Sequence, residues 1–122
     1  MITILVAEDE APIREFVASV LADAGYHVLC ARNGAEALEL AQSTRPALVI
    51  TDLMMPHMNG RELRERIRAA FPNASIPVVM MSASGVDQLR GSGTDAILPK
   101  PFDLDELLRL VMRYVGPADT CP

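Results

Sequence analysis

The sequence alternates five short apolar segments with segments that have the apolar spacing of amphipathic helices. This alternation restricts the possible folds more than any other feature of the chain. The first apolar segment, residues 2–7, is rich in β-branched residues and apolar at nearly every position, as in a strand buried on both faces. Strands that alternate with helices over short links form a parallel sheet with right-handed crossovers. The sequence therefore predicts an α/β fold.

The predicted elements suit a doubly wound, flavodoxin-like sheet. The spacing predicts strands over residues 2–7, 27–31, 47–51, 76–81 and 96–98. It predicts helices over residues 12–24, 35–43, 61–70 and 104–115, with Asp103 as the N-cap of the last. A shortened fourth helix is expected within residues 84–95, because three glycines weaken helix formation there. Five strand–helix units in this length favour the strand order 2-1-3-4-5. We expect one domain over residues 1–116 and a flexible tail over 117–122.

Composition and charge exclude several classes of protein. Hydrophobic residues make up 50% of the 122 residues and charged residues 22%, a balance that is typical of one folded soluble domain. A net charge of −5 disfavours direct binding to the nucleic-acid backbone. Two cysteines are too few for a disulfide framework and fit a reducing compartment, so we expect a cytoplasmic protein. We expect no membrane segment and no signal peptide.

Polar residues that follow the predicted strands form the candidate site. In a doubly wound sheet, ligands bind beyond the carboxyl ends of the strands. The residues at these ends, in chain order, are Glu8, Asp9, Glu10, Asp52, Ser82 and Lys100. Lys100 is the only lysine among 11 basic residues, which favours a specific role for it. The sequence therefore predicts that acids, a hydroxyl and an ammonium group share one edge of the sheet.

This set of side chains suits phosphoryl transfer. Carboxylates gathered at one point repel one another and favour a bound cation. Oxygen ligands without neighbouring His or Cys indicate a hard cation, Mg²⁺ first and Mn²⁺ as an alternative. Ammonium and hydroxyl groups suit phosphoryl oxygens, and a carboxylate nucleophile would give an acyl phosphate. The plainer alternative is that the acids are solvated surface groups and that Lys100 pairs with one of them.

Four segments of the chain resemble the response-regulator receiver domains of two-component signalling. They are residues 4–10, 52–60, 82–83 and 100–102, within a resemblance that runs from about Ile2 to Val115. The resemblance implies a receiver domain over residues 1–116, either a stand-alone regulator or a piece of a longer protein. It implies a phosphorylation-controlled switch that receives its phosphoryl group from a histidine kinase or a histidine phosphotransfer protein. A downstream protein target would read the change, and the receiver would be a monomer or weak dimer.

The resemblance also assigns roles in phosphorylation. Asp52 would be the phosphoacceptor, Ser82 the switch hydroxyl, and Lys100 the contact to a phosphoryl oxygen. The peptide bond between Lys100 and Pro101 would be cis. The protein would not be an enzyme beyond self-catalysed phosphorylation and dephosphorylation.

The metal ligands follow from the same resemblance. Asp9 and Asp52 would bind Mg²⁺ directly, and Glu8 would bind it through a water molecule. The backbone carbonyl of Met54 would complete the protein ligands, so its side chain is free to vary. Gly60 would form the turn into the third helix.

The chain departs from the family pattern at two places. Receiver domains usually have Tyr or Phe three residues before the lysine, where this chain has Ile97. The segment between Ser82 and Lys100 is also several residues shorter than usual. We therefore expect the phosphorylation chemistry to be retained and the usual output surface to work differently.

Three other functions remain to be weighed. A phosphatase with an aspartyl nucleophile would carry a second Asp two residues later as the general acid. This chain has Met54 there, which disfavours a phosphatase. A flavodoxin-like cofactor binder would have a hydroxyl- and glycine-rich loop where this chain has Glu8 to Glu10. A pseudo-receiver would keep the fold and bind partners without taking phosphate. The retained Asp9, Asp52, Ser82 and Lys100 oppose this third alternative, whereas Ile97 and the short segment before it keep it open.

Overall fold

The computed structural model describes residues 1–83 and 96–118, which form a parallel sheet with helices on both faces. The strands are β1 Thr3–Ala7, β2 His27–Ala31, β3 Leu48–Asp52, β4 Val78–Ser82 and β5 Ala96–Pro99. The helices are α1 Ala11–Asp23, α2 Gly34–Thr44, α3 Gly60–Ala70 and α4 Leu104–Val115. Neighbouring strands are parallel and their order is β2-β1-β3-β4-β5. The predicted fold and strand order are confirmed.

The sheet separates two apolar clusters, one on each face. Successive strand residues point to opposite faces, so Leu5 packs with α2 and α3, and Ile4 with α1 and α4. The fully buried helix residues Ile67 and Leu107 belong to opposite clusters. Because helices cover both faces, the central strands are apolar at nearly every position rather than at alternate ones.

Side-chain caps fix the start of three helices. Asn33, Asn59 and Asp103 each accept a hydrogen bond from the backbone N–H three residues later, at 2.8–2.9 Å. The predicted N-cap at Asp103 is therefore confirmed. α1 has Pro12 in its first turn and no side-chain cap at Glu10. In the part of the chain that the structure describes, no helix is long and apolar enough to cross a membrane.

The fourth strand begins later than the sequence predicts, at Val78 instead of Ile76. Proline has no N–H to donate to a strand ladder, so Pro77 only accepts, from the Val49 N–H at 3.0 Å. Paired residues begin with Val78, which lies opposite Val49.

The end of α4 is fixed to the rest of the domain. Tyr26 Oη donates a hydrogen bond of 2.7 Å to the carbonyl of Gly116, and Ala118 packs against the cluster of α1 and α4. Residues 119–122 of the predicted tail lie outside the described residues, as does the predicted shortened helix within 84–95. These two expectations stay predictions.

Candidate functional site

Three acidic side chains converge at the carboxyl end of the sheet. Glu8 and Asp9 directly follow β1, and Asp52 is the last residue of β3, which pairs with β1. One carboxylate oxygen from each of the three lies within 4.8 Å of the others. Glu8 is 0% exposed and Asp52 is 7% exposed, whereas Asp9 is exposed. Two buried acids and one accessible acid therefore form the acidic cluster that the sequence predicts.

Lys100 brings a positive charge to this acidic cluster. Its Nζ lies 2.8 Å from Glu8 Oε1 and 3.2 Å from Asp52 Oδ1. The backbone N–H of Lys100 donates to the carbonyl of Ser82 at 2.8 Å, and the peptide bond to Pro101 is cis. The plainer alternative, that Lys100 pairs with an acid, thus describes its contacts here. The same contacts place its ammonium group beside the predicted phosphoacceptor.

Burial and charge shift the protonation of the ion pair. Burial raises the pKa of Glu8 to about 7, and the hydrogen bond from Lys100 opposes this rise. The value of about 7 also includes a side-chain hydrogen bond with Asp9 and the negative charge of Asp52, both of which raise the pKa. Burial alone would lower the pKa of Lys100, but the hydrogen bond to Glu8 and the two carboxylate charges raise it above its ordinary value. Lys100 therefore stays charged in the site.

The acidic cluster has the ligand chemistry of a hard divalent cation. Its members offer carboxylate oxygens only, which are the ligands that Mg²⁺ and Mn²⁺ prefer. A divalent cation would offset the negative charge of Asp52, which adds to the effect of burial in raising the pKa of Glu8. The side chain of Met54, two residues after Asp52, is 71% exposed, which agrees with a position whose side chain is free to vary. The cluster thus fits the predicted metal, and the individual ligand assignments remain predictions.

Ser82 lies at the same edge of the sheet as the acids. It is the last residue of β4 and is 5% exposed. β4 lies between β3 and β5, with Met81 opposite Asp52 and Ser82 opposite Pro99. Ser82 therefore lies on the strand between β3, which ends at Asp52, and β5, which is followed by Lys100, and its role as a switch hydroxyl stays a prediction.

Gly60 makes the loop after Asp52 possible. Its N–H donates to the carbonyl of Leu53 at 2.9 Å, which closes the loop at the start of α3. A β-carbon at Gly60 would lie 2.7 Å from the backbone oxygen of Asp52 and 2.7 Å from Met80 Sδ. Only glycine allows this close approach of two backbone segments.

Two features near the site were not predicted from the sequence. Arg14 donates a hydrogen bond of 2.9 Å from its guanidinium group to the carbonyl of Glu8, which holds the loop between β1 and α1. Its place in the first turn of α1, just after the acids, is the signal that could have indicated it. The second feature is an aromatic pair, Phe16 and Phe102, whose ring centroids lie 6.3 Å apart. The two residues are distant in the sequence, so no local pattern indicates their contact.

Ile97 is part of the sheet beside the site. It lies opposite Met80 in the pairing of β4 with β5 and packs, partly buried, against the cluster of α2 and α3. An aliphatic side chain thus lies at the position where the sequence departs from the family it resembles.

Comparisons with known proteins agree on one family. A family model described as the response regulator receiver domain matches residues 4–112. The phosphate regulon transcriptional regulatory protein PhoB of Pseudomonas aeruginosa is 38% identical over 97% of this chain and 55% of its own length. Response regulator Rre1 of Synechocystis is 41% identical over 94% of this chain and 52% of its own length. The chain therefore spans about half the length of these curated relatives.

Solved structures show the same similarity in three dimensions. The chemotaxis protein CheY4 of Vibrio cholerae is 32% identical with a TM-score of 0.84, over 93% of this chain and 98% of that one. The receiver domain of the sensor histidine kinase PA1611 from Pseudomonas aeruginosa is 26% identical with a TM-score of 0.85. That similarity covers 93% of this chain and 97% of the PA1611 chain, whose structure has a magnesium ion coordinated in its active-site cleft.

Proposed function

The chain belongs to the response regulator receiver domain family, and we propose that it is a phosphorylation-controlled signalling switch. The observation that supports this most is the position of Lys100 Nζ, 3.2 Å from Asp52 Oδ1 at the edge of the acidic cluster. A nucleophilic carboxylate, ligands for a cation and a fixed positive charge are the groups that phosphoryl transfer needs.

Asp52 would accept the phosphoryl group from a phosphohistidine. A carboxylate oxygen of Asp52 forms a bond to phosphorus while the bond between phosphorus and the imidazole nitrogen breaks. The electron pair of that bond leaves with the imidazole, and the product is an acyl phosphate on Asp52. Lys100 is close enough to Asp52 to offset the negative charge of the phosphoryl oxygens.

Mg²⁺ is the proposed cofactor, with Mn²⁺ as an alternative. Asp9, Asp52 and the carbonyl of Met54 would hold it directly, and Glu8 would hold it through water. When bound, the cation neutralises charge on the transferring phosphoryl group. The magnesium ion in the cleft of the similar PA1611 receiver domain supports this assignment.

The proposed partners are proteins on both sides of the switch. A histidine kinase or a histidine phosphotransfer protein would supply the phosphoryl group, and a downstream protein target would read the phosphorylated state. We propose one receiver unit over residues 1–116, as a monomer or weak dimer without direct nucleic-acid contact. It would act in the cytoplasm, where its two cysteines stay reduced, and would catalyse at most its own phosphorylation and dephosphorylation.

The output of the switch is where this chain would differ from its family. Ser82 and Lys100 would respond to the phosphoryl group, and this response would shift the equilibrium between two conformations of the surface beside β4 and β5. Ile97 offers no aromatic ring to report that change. This substitution supports the second candidate function, a pseudo-receiver that binds its partners without regulation by phosphorylation.

Intact mass measurement tests the two candidates. The protein is incubated with Mg²⁺ and acetyl phosphate beside the variants Asp52→Asn and Asp23→Asn, of which the second changes an exposed acid at the end of α1. We expect the wild type and Asp23→Asn to gain one phosphoryl group, and Asp52→Asn or added chelator to prevent the gain. If the wild type gains no phosphoryl group with any donor or any metal ion, the pseudo-receiver becomes the better description.

A further inference from the structure

An apolar groove opens beside the acidic cluster. Ile13 and Phe16 of α1 line one side, and Pro101 and Phe102 line the other, with Lys100 contributing to the wall. The groove has a volume of about 410 Å³. Its lining is almost wholly apolar, although it shares Lys100 with the most polar part of the molecule.

Two aromatic rings in this groove favour a flat, aromatic ligand. The planes of Phe16 and Phe102 are inclined at 43°, with centroids 6.3 Å apart, and Phe16 is 42% exposed. Aromatic rings favour offset or tilted neighbours at centroid distances of about 4.5–7 Å. A third flat ring could therefore contact both phenylalanines and cover the exposed part of Phe16.

Resting on the proposed function, we propose that this groove binds the leaving group of a small acyl phosphate whose acyl part is aromatic. The phosphoryl end would lie at Asp52 and Lys100, and the aryl ring would lie in the groove against both Phe16 and Phe102. Charge favours this orientation, because Lys100 lies at the polar end and the rest of the groove is apolar. Size agrees as well, since sites for small molecules are typically about 300–1,000 Å³.

The transfer balances without an added reactant. An oxygen of Asp52 forms a bond to phosphorus, and the bond from phosphorus to the acyl carboxylate oxygen breaks. The electron pair leaves with the aryl carboxylate, so the reaction needs no proton and no oxidant. The groove would hold the aryl ring throughout this step, and acetyl phosphate, with a methyl group only, would fill little of it.

Donor preference tests the groove. Rates of mass gain are measured below saturation with benzoyl phosphate and with acetyl phosphate, for the wild type, Phe16→Ala and Met112→Ala. Met112 serves as the control. It is 48% exposed and lies near the carboxyl end of α4, whereas Phe102 lies just before the amino end of this helix. We expect the ratio of the two rates to favour benzoyl phosphate by about tenfold in the wild type. Phe16→Ala should abolish most of this preference, and Met112→Ala should retain it.

A binding measurement separates the groove from the phosphorylation chemistry. The chain has three phenylalanines, and Phe71 lies away from the groove beside Arg45, whose guanidinium carbon is 5.3 Å from the ring centroid. Phenylphosphonate with Mg²⁺ should shift the ring resonances of Phe16 and Phe102 and leave those of Phe71 unchanged. Methylphosphonate should leave all three rings nearly unchanged.

The outcomes distinguish the two proposals. If both donors label the wild type and Phe16→Ala leaves the ratio of the two rates unchanged, the proposal for the groove is wrong and the proposal that Asp52 accepts phosphate still stands. Absence of labelling by either donor would overturn the phosphoacceptor, and the ring resonances would still decide the groove. Equal shifts with the two phosphonates, or no shift at Phe16 and Phe102, would also overturn the groove.

Discussion

Gly60 lies so close to Asp52 that a β-carbon at Gly60 would be 2.7 Å from the backbone oxygen of Asp52. That oxygen belongs to β3 and cannot move without disturbing the sheet, and Met80 Sδ is equally close on another side. We therefore expect Gly60→Ala to lower the free energy of unfolding by about 1–3 kcal/mol, as overpacking of a core does.

Gly34 provides the matched control for this prediction. A β-carbon there would also meet atoms at 2.8 Å, but these are Cβ, Cγ and Sδ of Met58, a residue of the loop between β3 and α3 and not of a strand. Since Gly34 begins α2, alanine would also improve helix propensity by up to about 1 kcal/mol. Urea unfolding should show a smaller loss for Gly34→Ala than for Gly60→Ala. Equal losses would mean that close contact with the strand backbone is not the cause.

Removal of Lys100 should destabilise the domain. The variant Lys100→Met leaves Glu8 buried beside Asp52 without the ammonium group that donates to its Oε1. The Glu10 N–H, 3.3 Å from Oε2 of Glu8, still donates to this carboxyl group. We expect a loss of about 1–3 kcal/mol in the free energy of unfolding at pH 8, and a smaller loss at pH 5, where Glu8 is protonated. The exposed Arg109 on α4 offers the control Arg109→Met, which should change stability by less than about 0.5 kcal/mol. Equal losses for both variants in urea unfolding would contradict the prediction.

Stability of the metal-free protein should fall as pH rises towards 7. In the folded protein Glu8 keeps its proton up to about pH 7, whereas a carboxyl group in the unfolded chain releases it near the ordinary value of 4.5. Between these values the folded state binds more protons than the unfolded state, so the stabilisation that protonated Glu8 provides is lost as pH rises.

Urea unfolding in the presence of chelator, from pH 5 to pH 8, checks this dependence. Glu8→Gln should weaken the loss of stability over that range, because its side chain does not titrate. Glu39→Gln, which changes an exposed acid of α2, should retain the loss. An unchanged pH dependence in Glu8→Gln would show that another group is responsible.

Mg²⁺ should stabilise the folded protein through the acidic cluster. A ligand that binds only the folded state adds about 2.7 kcal/mol at a concentration one hundred times its Kd. Asp9 is the accessible member of the cluster, so Asp9→Asn, which keeps the size of the side chain and a hydrogen-bonding group beside Glu8, should remove most of this stabilisation. The midpoint of thermal unfolding against Mg²⁺ concentration measures it, with Glu39→Gln as the unaffected control. Equal stabilisation of Asp9→Asn would place the cation elsewhere.

Much of the fold was predictable because local and global signals agree. Apolar β-branched runs such as residues 48–50 are buried on both faces, so their pattern alone indicates central strands. Short links then limit the topology to the observed order. The start of β4 was wrong by two residues, because an apolar pattern continues through Pro77 although a strand ladder does not.

The site was predictable to the level of strand ends and no further. Asp52 and Lys100 could be assigned to one edge of the sheet because parallel strands end together. The hydrogen bond between Lys100 and Glu8 spans 92 residues, and its formation depends on side-chain reach and burial that no sequence pattern gives. The same holds for Phe16 and Phe102, whose contact arises only when α1 and the loop after β5 pack side by side.

The ion pair of Glu8 and Lys100 connects the ends of two strands that are not neighbours in the sheet. In the strand order, β3 and β4 lie between β1, which ends before Glu8, and β5, which ends before Lys100. Adjacent strands are about 4.8 Å apart, so the two backbones are separated by about 14 Å. The two side chains must therefore arch over the ends of β3 and β4, where Asp52 and Ser82 lie. An anion bound at Asp52 would lie beside this ion pair, and the ammonium group that attracts the anion is also the one that links the ends of β1 and β5.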